Sequence, residues 1–306
     1  MSYKALMVYV DADGTPEHRV RLSASLADKF NATLIGISAV AFRPPMMVEG
    51  VPFRSPMTVG GVPFRSPMMV EGVPFRSPML LEGVAIEGAT EVAIKETSAK
   101  LASKGKWFRS IVGADHRKLE WRPVLDYPTE ALAREARSAD LVVLGRTAGP
   151  GDAYSSLDPG GTILRIGRPT LVVPEGVSSL LAEHVVIGWK DTREARRAVQ
   201  DALPFLREAT RVTIVEICGP GEEKTALGHI DDVARYLTRH RINGGPRVML
   251  QKEGSGAAQL IRLAQDERAD LLVTGAYGHS RLGELVFGGM TRELLATSPI
   301  CCVMSH

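Results

Sequence analysis

The sequence predicts an α/β protein built from two tandem, doubly wound, five-stranded parallel-sheet domains. Three observations carry this: a length of 306 residues, apolar runs alternating with helical patterns, and a closing pattern that occurs twice. That length allows two domains at ~150 residues each. Strands that alternate with helices imply a parallel sheet covered on both faces. The duplication is explicit. Ala139-Asp140-Leu141-Val142-Val143-Leu144-Gly145 matches Ala269-Asp270-Leu271-Leu272-Val273-Thr274-Gly275, and Pro169-Thr170-Leu171-Val172-Val173 matches Pro299-Ile300-Cys301-Cys302-Val303 at the same offset of 130 residues.

The elements follow in order. Residues 5–10 and 184–189 are apolar runs of strand length, each followed by a polar turn and a helical pattern, over 15–30 and 192–207. The second strands are expected at 33–38 and 212–217, the third at 119–124 and 247–251. In the first half a long helix is expected over 89–111, with Leu101, Phe108 and Ile111 on one face and Lys104-Gly105-Lys106 as a candidate break. Each half ends strand, glycine turn, helix, strand. Residues 174–183, with Gly176 and Ser178-Ser179, form the connection between the halves.

Residues 40–83 stand outside this plan. They repeat every eleven residues: VAFRPPMMVEG, VPFRSPMTVGG, VPFRSPMMVEG, VPFRSPMLLEG. Proline and glycine in each copy exclude a long helix or a central strand and leave turns joined by short extended pieces. One reading is an arm that displays Phe53, Phe64 and Phe75, each followed by an arginine, to a partner. The other, favoured by the near-identity of the copies, is a duplication that lengthened an existing loop.

Composition excludes several classes of function. A formal charge of +2 from balanced acids and bases gives no footprint for nucleic acid or an anionic membrane. No apolar stretch approaches the ~18 residues of a membrane span, and the N-terminal residues read as a strand, so a cytoplasmic protein is expected. Cys218, Cys301 and Cys302 form no disulfide framework. The seven histidines have no metal-ligand spacing. There is no nucleophile elbow, and the faint P-loop likeness at residues 219–225 fails because Glu223 replaces the glycine before the lysine.

The chemistry is concentrated at residues 270–304. After the strand, Gly275 and Gly278 bracket Ala276 and Tyr277, and Gly288-Gly289 precede a helix. Glycines there let the backbone approach a ligand, and a helix starting behind them points free N–H groups at an anion. The spacing of Gly275, Gly278 and Gly288 resembles the nucleotide-binding loop of the universal stress protein family, and the likeness extends over nearly the whole chain as the tandem type of that family. It implies an adenine nucleotide alpha hydrolase-like fold. It also implies an intramolecular pseudo-dimer, because the family's fifth strand pairs antiparallel with that of a partner: here residues 171–173 against 301–303.

The resemblance further implies a domain at 1–175 with a degenerate site and the 40–83 insertion, a linker at 176–183, and a nucleotide-binding domain at 184–306. The family's aspartate at the end of the first strand is matched by Asp11. In the second half that place falls on Lys190, with Asp191 one residue on; both are candidate ligand contacts, and both equally suit a simple turn. Gly289 stands where the family has Ser or Thr. His279 is either a phosphate contact or a solvent-facing side chain, and Met290 opens the helix. In the first half Gly145 survives, but Ala148, Asp158 and Pro159 replace the other glycines, and Asp158 repels phosphate. The expectation is therefore a stress-response regulatory protein that binds ATP or a related adenine nucleotide in its second half. Mg is left open as a companion, and a homo-oligomer or regulatory protein is the further partner. The alternatives are a slow ATP hydrolase on the same fold and an interaction scaffold without nucleotide. No catalytic residue and no metal ligand is assigned.

Overall fold

Among the described residues, most apolar runs of the sequence become buried strands. In the computed structural model, residues 2–14, 17–42, 67–70, 73–76, 84–113, 118–146, 152, 154–278 and 289–306 are described, with the backbone course alone for 67–70, 73–76 and 84–90. The first half runs β1 (Ala5–Tyr9), α1 (Glu17–Phe30), β2 (Thr33–Ala39), β3 (Pro67–Val70), β4 (Val73–Arg76), α2 (Val84–Val112), β5 (Leu119–Val124), α3 (Pro128–Glu135), β6 (Leu141–Gly145), α4 (Pro159–Ile166) and β7 (Thr170–Val173). The second runs β8 (His184–Trp189), α5 (Arg193–Asp201), α6 (Leu203–Leu206), β9 (Arg211–Cys218), α7 (Glu223–Arg239), β10 (Gly244–Leu250), α8 (Gly256–Asp266), β11 (Leu271–Gly275), α9 (Gly289–Thr297) and β12 (Cys301–Ser305).

Ten of these strands form one sheet in the order β10-β9-β8-β11-β12-β7-β6-β1-β2-β5. All neighbours are parallel except β12 and β7, which pair antiparallel with Cys302 opposite Val172, Val303 opposite Leu171 and Met304 opposite Thr170. The two five-stranded sheets therefore join through their last strands in the expected register, but over 170–172 against 302–304, one residue along from the expected 171–173 against 301–303. Helices cover both faces. On one face a single apolar cluster crosses the junction, from Phe30 and Leu171 to Phe205 and Val303. On the other, Ile163 and Val172 of the first half pack with Leu294, Cys302 and Met304 of the second.

Aromatic packing fixes the junction. Tyr3, Phe30 and Phe205 meet edge to face, with ring centroids 5.1–5.5 Å apart, and the Tyr3 hydroxyl donates to the Asp201 carbonyl at 2.6 Å. Such pairs contribute about 0.5–1.5 kcal/mol each beyond their burial. Residues 174–183 carry no helix or strand, yet Leu180 and Ala182 are buried. Lys29 of α1 donates to the Leu181 carbonyl at 2.7 Å and pairs with Glu208 at 3.0 Å. The connection is thus tied down, despite its glycine and serines.

Three expectations change. The helix expected over 192–207 is two helices, because Pro204 has no N–H to continue the α5 ladder past Ala202. Lys104-Gly105-Lys106 does not interrupt α2. A Cβ at Gly105 would lie 2.6 Å from Trp121 Nε1, so glycine is there to let the indole close on the helix. The Trp121 ring then packs against Phe108, with centroids 5.3 Å apart. The third strand of the second half starts at Gly244, three residues early, where a side chain would meet Ile214 Cδ1 at 2.7 Å.

Most of the eleven-residue repeats, including Phe53 and Phe64, lie outside the described residues. The parts described, β3 and β4, pair antiparallel from Pro67 opposite Arg76 to Val70 opposite Val73, in keeping with short extended pieces. They form a sheet of their own. Excising residues 55–65, one period, is therefore expected to move the melting temperature by no more than a few degrees, because loop-closure cost varies slowly with length. A calorimetric scan showing collapse would mean that the repeat packs into the core.

Candidate functional site

In a doubly wound sheet, ligands bind beyond the carboxyl ends of strands, where the connections diverge to opposite sides. β1 lies between β6 and β2, and β8 between β11 and β9. The two crevices to inspect are therefore at the ends of β1 and β6 and at the ends of β8 and β11.

In the second half, Lys190 and Asp191 follow β8, and both are exposed. The Lys190 carbonyl accepts from Thr192 N at 2.7 Å, and Asp191 Oδ1 accepts from Arg196 Nη2 at 2.5 Å. Both residues thus build the turn that enters α5, with Thr192 as N-cap accepting from Ala195 N. Gly275 ends the neighbouring strand. A Cβ there would lie 2.6 Å from Ala195 N and 2.8 Å from the Glu194 carbonyl carbon, so helix packing alone requires glycine. Gly278 has ordinary contact distances to Glu194 Oε2 and the Thr192 side chain. The turn after β8 and the turn after β11 therefore meet.

Glu194 is the unexpected member. It is 1% exposed, in the first turn of α5, where the helix dipole favours a carboxylate. Burial works against its charge. Arg193 Nε at 2.5 Å, its own backbone N–H and the Thr192 hydroxyl more than offset this and hold the carboxyl below its ordinary range. On the far side of the crevice, α9 begins at Gly289, whose Cβ position has no described residue within 4 Å. Met290 is exposed, with its methyl group 3.0 Å from the Cβ position of Gly256. His279 and Gly288 lie outside the described residues. Tyr277, at φ 55°, donates its N–H to Thr291 Oγ1 at 3.1 Å. Its hydroxyl reaches into the first half, where a Cβ at Gly160 would lie 2.4 Å from it. Burial, and then the charge of Asp158, raise the phenol's pKa.

The first half fills its own crevice. Asp11 accepts from Arg19 Nη2 at 2.6 Å, and the Arg19 side chain is 6% exposed. That guanidinium lies on Gly145, where a Cβ would meet Nη1 at 2.1 Å. Asp158, expected to repel phosphate, is the N-cap of α4: its Oδ1 accepts from Gly160 N at 3.0 Å. Helix N–H groups that could bind an anion are thus answered by the chain's own carboxylate. The Ala41 N–H at the end of β2 is likewise taken by the Tyr154 carbonyl, at 2.7 Å.

Arg19 and Glu194 occupy one position in the duplicated plan. Each packs from the first turn of its helix onto the last glycine of the neighbouring strand, and Phe30 and Phe205, which touch, each lie eleven residues further on. The flanking residues are also exchanged in sign: Asp11 beside Arg19, Lys190 before Glu194. Neither buried charge was singled out from the sequence, since a charge in a first helical turn ordinarily points to water. The Asp158 cap was readable in principle, as Asp-Pro is an N-cap followed by proline at N1. Among the described residues, no group of three or more His, Cys, Asp or Glu side chains could hold a metal ion, and no helix is long and apolar enough to cross a membrane.

Known proteins share this architecture. Residues 182–306 match the model of the Universal stress protein family. A curated universal stress protein from Synechocystis sp. is 22% identical over 169 residues, covering 53% of this chain and 56% of that protein, so the chain spans about half the length of this relative. Among solved structures, a universal stress protein from Archaeoglobus fulgidus superposes with a TM-score of 0.67 at 10% identity, covering 98% of this chain and 97% of its own. A putative universal stress protein from Pseudomonas aeruginosa gives 0.55 at 10% identity, covering 99% and 93%. At such identities the structural likeness speaks for the fold, across both halves. Residues 182–306 are thus similar in sequence to the universal stress protein family, and the fold of both halves is the one its solved members share.

Proposed function

We propose that the chain is a stress-response regulatory protein that binds ATP or a related adenine nucleotide beyond β8 and β11. Residues 1–175 and 184–306 act as two units, and the second is the receptor. Lys190, Asp191, Gly275, Gly278, His279, Gly288, Gly289 and Met290 surround the ligand. One observation carries this reading: the two equivalent helix N-termini differ. α4 is closed by Asp158, whereas at Gly289, the start of α9, no described residue lies within 4 Å of where a side chain would be. The anionic end of the nucleotide belongs at α9, because Glu194 beside Gly278 would repel it at the other end. Glu194 and Thr192 suit hydroxyl groups of the sugar. Asp11 and Gly145, occupied by Arg19, leave the first half without a cradle. No residue is assigned to catalysis.

Titration calorimetry with ATP is expected to give about one site per chain. Gly288→Asp, which copies the Asp158 defect into the second half, is expected to abolish the heat signal while leaving the circular dichroism unchanged. Two equivalent sites, or unaltered binding by the variant, would show that the loop is wrongly chosen. Absence of any heat with wild-type protein would favour a scaffold, and stoichiometric ADP formation a slow hydrolase.

A further inference from the structure

Each half touches the last helix of the other with the turn that follows β6 or β11. Arg146 comes directly after β6, and its Nη1 donates to the Ala296 carbonyl near the end of α9, at 3.2 Å. Tyr277 comes just after β11, and its hydroxyl lies on α4, 2.4 Å from where a Cβ would stand at Gly160. α4 and α9 meet in the same region, with Ile163 and Leu294 in one apolar cluster.

Of these two contacts, the one made by Tyr277 starts inside the candidate loop, between Gly275 and Gly278. That turn is held from several sides. Gly275 is pressed against α5, and the Ala276 N–H donates to the Ser305 carbonyl at 2.8 Å. The Tyr277 N–H donates to Oγ1 of Thr291, a buried residue in the first turn of α9. The Tyr277 hydroxyl adds a hold from the other half. At φ 55° the Tyr277 backbone is left-handed, a conformation that a bulky residue keeps only where its surroundings enforce it. Gly160 belongs to those surroundings. It is buried and has no positive φ, so what it contributes is the missing side chain beneath the phenol. Apart from the phenol oxygen, a methyl group there would make ordinary contacts, with Asp158 Oδ1 at 3.5 Å and Tyr277 Cζ at 3.6 Å.

We propose that Tyr277 is a positioning residue: through its contact with Gly160, the first half sets the geometry of the glycine turn and of the α9 N-terminus, and with it the affinity of the site in the second half. The inference rests on the nucleotide reading above. A displacement at Gly160 passes along the Tyr277 ring to its backbone, and from there to Thr291 and the start of α9. The first half, closed to ligand by its own side chains, is then the support against which the receptor loop is held.

Titration calorimetry of the full chain with ATP tests the coupling. Gly160→Ala is expected to weaken binding about tenfold, within the usual range for coupled sites, although it lies in the half without a cradle. Adding Tyr277→Phe to Gly160→Ala is expected to restore affinity to within about threefold of wild type, because the new methyl group then keeps only its 3.6 Å contact with Cζ. Gly161→Ala is the control for the stability of α4: its methyl group meets Asp158 Oδ2 at 2.5 Å rather than Tyr277, and affinity should stay near wild type. Unchanged affinity in Gly160→Ala, no rescue by Tyr277→Phe, or an equal loss in Gly161→Ala overturns the proposal. Hydrogen exchange of the ligand-free chain over residues 289–297 separates it from the nucleotide reading. Exchange there should rise about fivefold in Gly160→Ala and return in the double variant. That pattern in a chain giving no heat with ATP would sink the nucleotide reading and leave the coupling standing, whereas unaltered exchange in Gly160→Ala overturns the coupling whatever ATP does.

Discussion

Val172→Pro is expected to lower the stability of the whole chain by more than about 3 kcal/mol, in a single loss seen by every probe. β7 is bonded on both sides, parallel to β6 and antiparallel to β12, with Val172 opposite Cys302. Whichever neighbour accepts the Val172 N–H, proline removes that bond and strands a buried carbonyl, at about 1–3 kcal/mol. The ring also cannot follow a central strand, and the site is 2% exposed, so nothing nearby can give way to solvent. Val172→Ala is the control: it deletes two buried carbons and should cost about 1.6 kcal/mol at ~0.8 per group. Urea denaturation followed by tryptophan fluorescence and circular dichroism separates the cases. Two independent transitions with unchanged midpoints in Val172→Pro would mean that the central pairing does not couple the halves.

Gly275→Ala and Gly145→Ala are expected to differ sharply, although the two glycines end equivalent strands. Neither lies in the positive-φ region, so backbone strain is not the issue; what the new methyl group meets is. At Gly275 it meets the backbone of α5, Ala195 N at 2.6 Å and the Glu194 carbonyl carbon at 2.8 Å. A helix must move, and overpacking of this kind costs about 1–3 kcal/mol. The displacement also carries Thr192 and Glu194 away from Gly278, so nucleotide binding should weaken with it. At Gly145 the methyl group meets the far end of the Arg19 side chain. That guanidinium is the far end of a side chain and can give where a helix backbone cannot, at the expense of its contact with Asp11, so the loss should be the smaller of the two. Equal losses in thermal denaturation would show that Gly275 is not held by helix packing.

Strands were the most readable part of the chain, because β6, β7, β11 and β12 are continuous apolar runs whose burial on both faces is their only solution. Helix ends were less readable: Pro204 signals a break that the apolar pattern on either side conceals. Gly105 misleads in the opposite sense, since its reason is Trp121, a residue on a different element. The candidate site divides along the same line. Gly275, Gly278 and Gly288 announce themselves by spacing, although Gly288 lies outside the described residues. Arg19 and Glu194 do not, for a first-turn charge turns inward only when the facing residue is glycine, and that pairing exists only after the sheet has formed. Tyr277 was equally hidden: its hydroxyl meets Gly160, a residue of the other half.

The antiparallel pairing of β7 with β12 also governs how the molecule responds to dilution. Two separate chains meeting through those strands would dissociate as concentration falls, and would exchange partners with like copies. Here both strands belong to one polypeptide, so the encounter is intramolecular and independent of concentration. A unit carrying the Asp11–Arg19 pair is always matched with one carrying Glu194, in fixed proportion. Each is then free to change on its own, because no symmetric partner presents the same change twice at the shared edge.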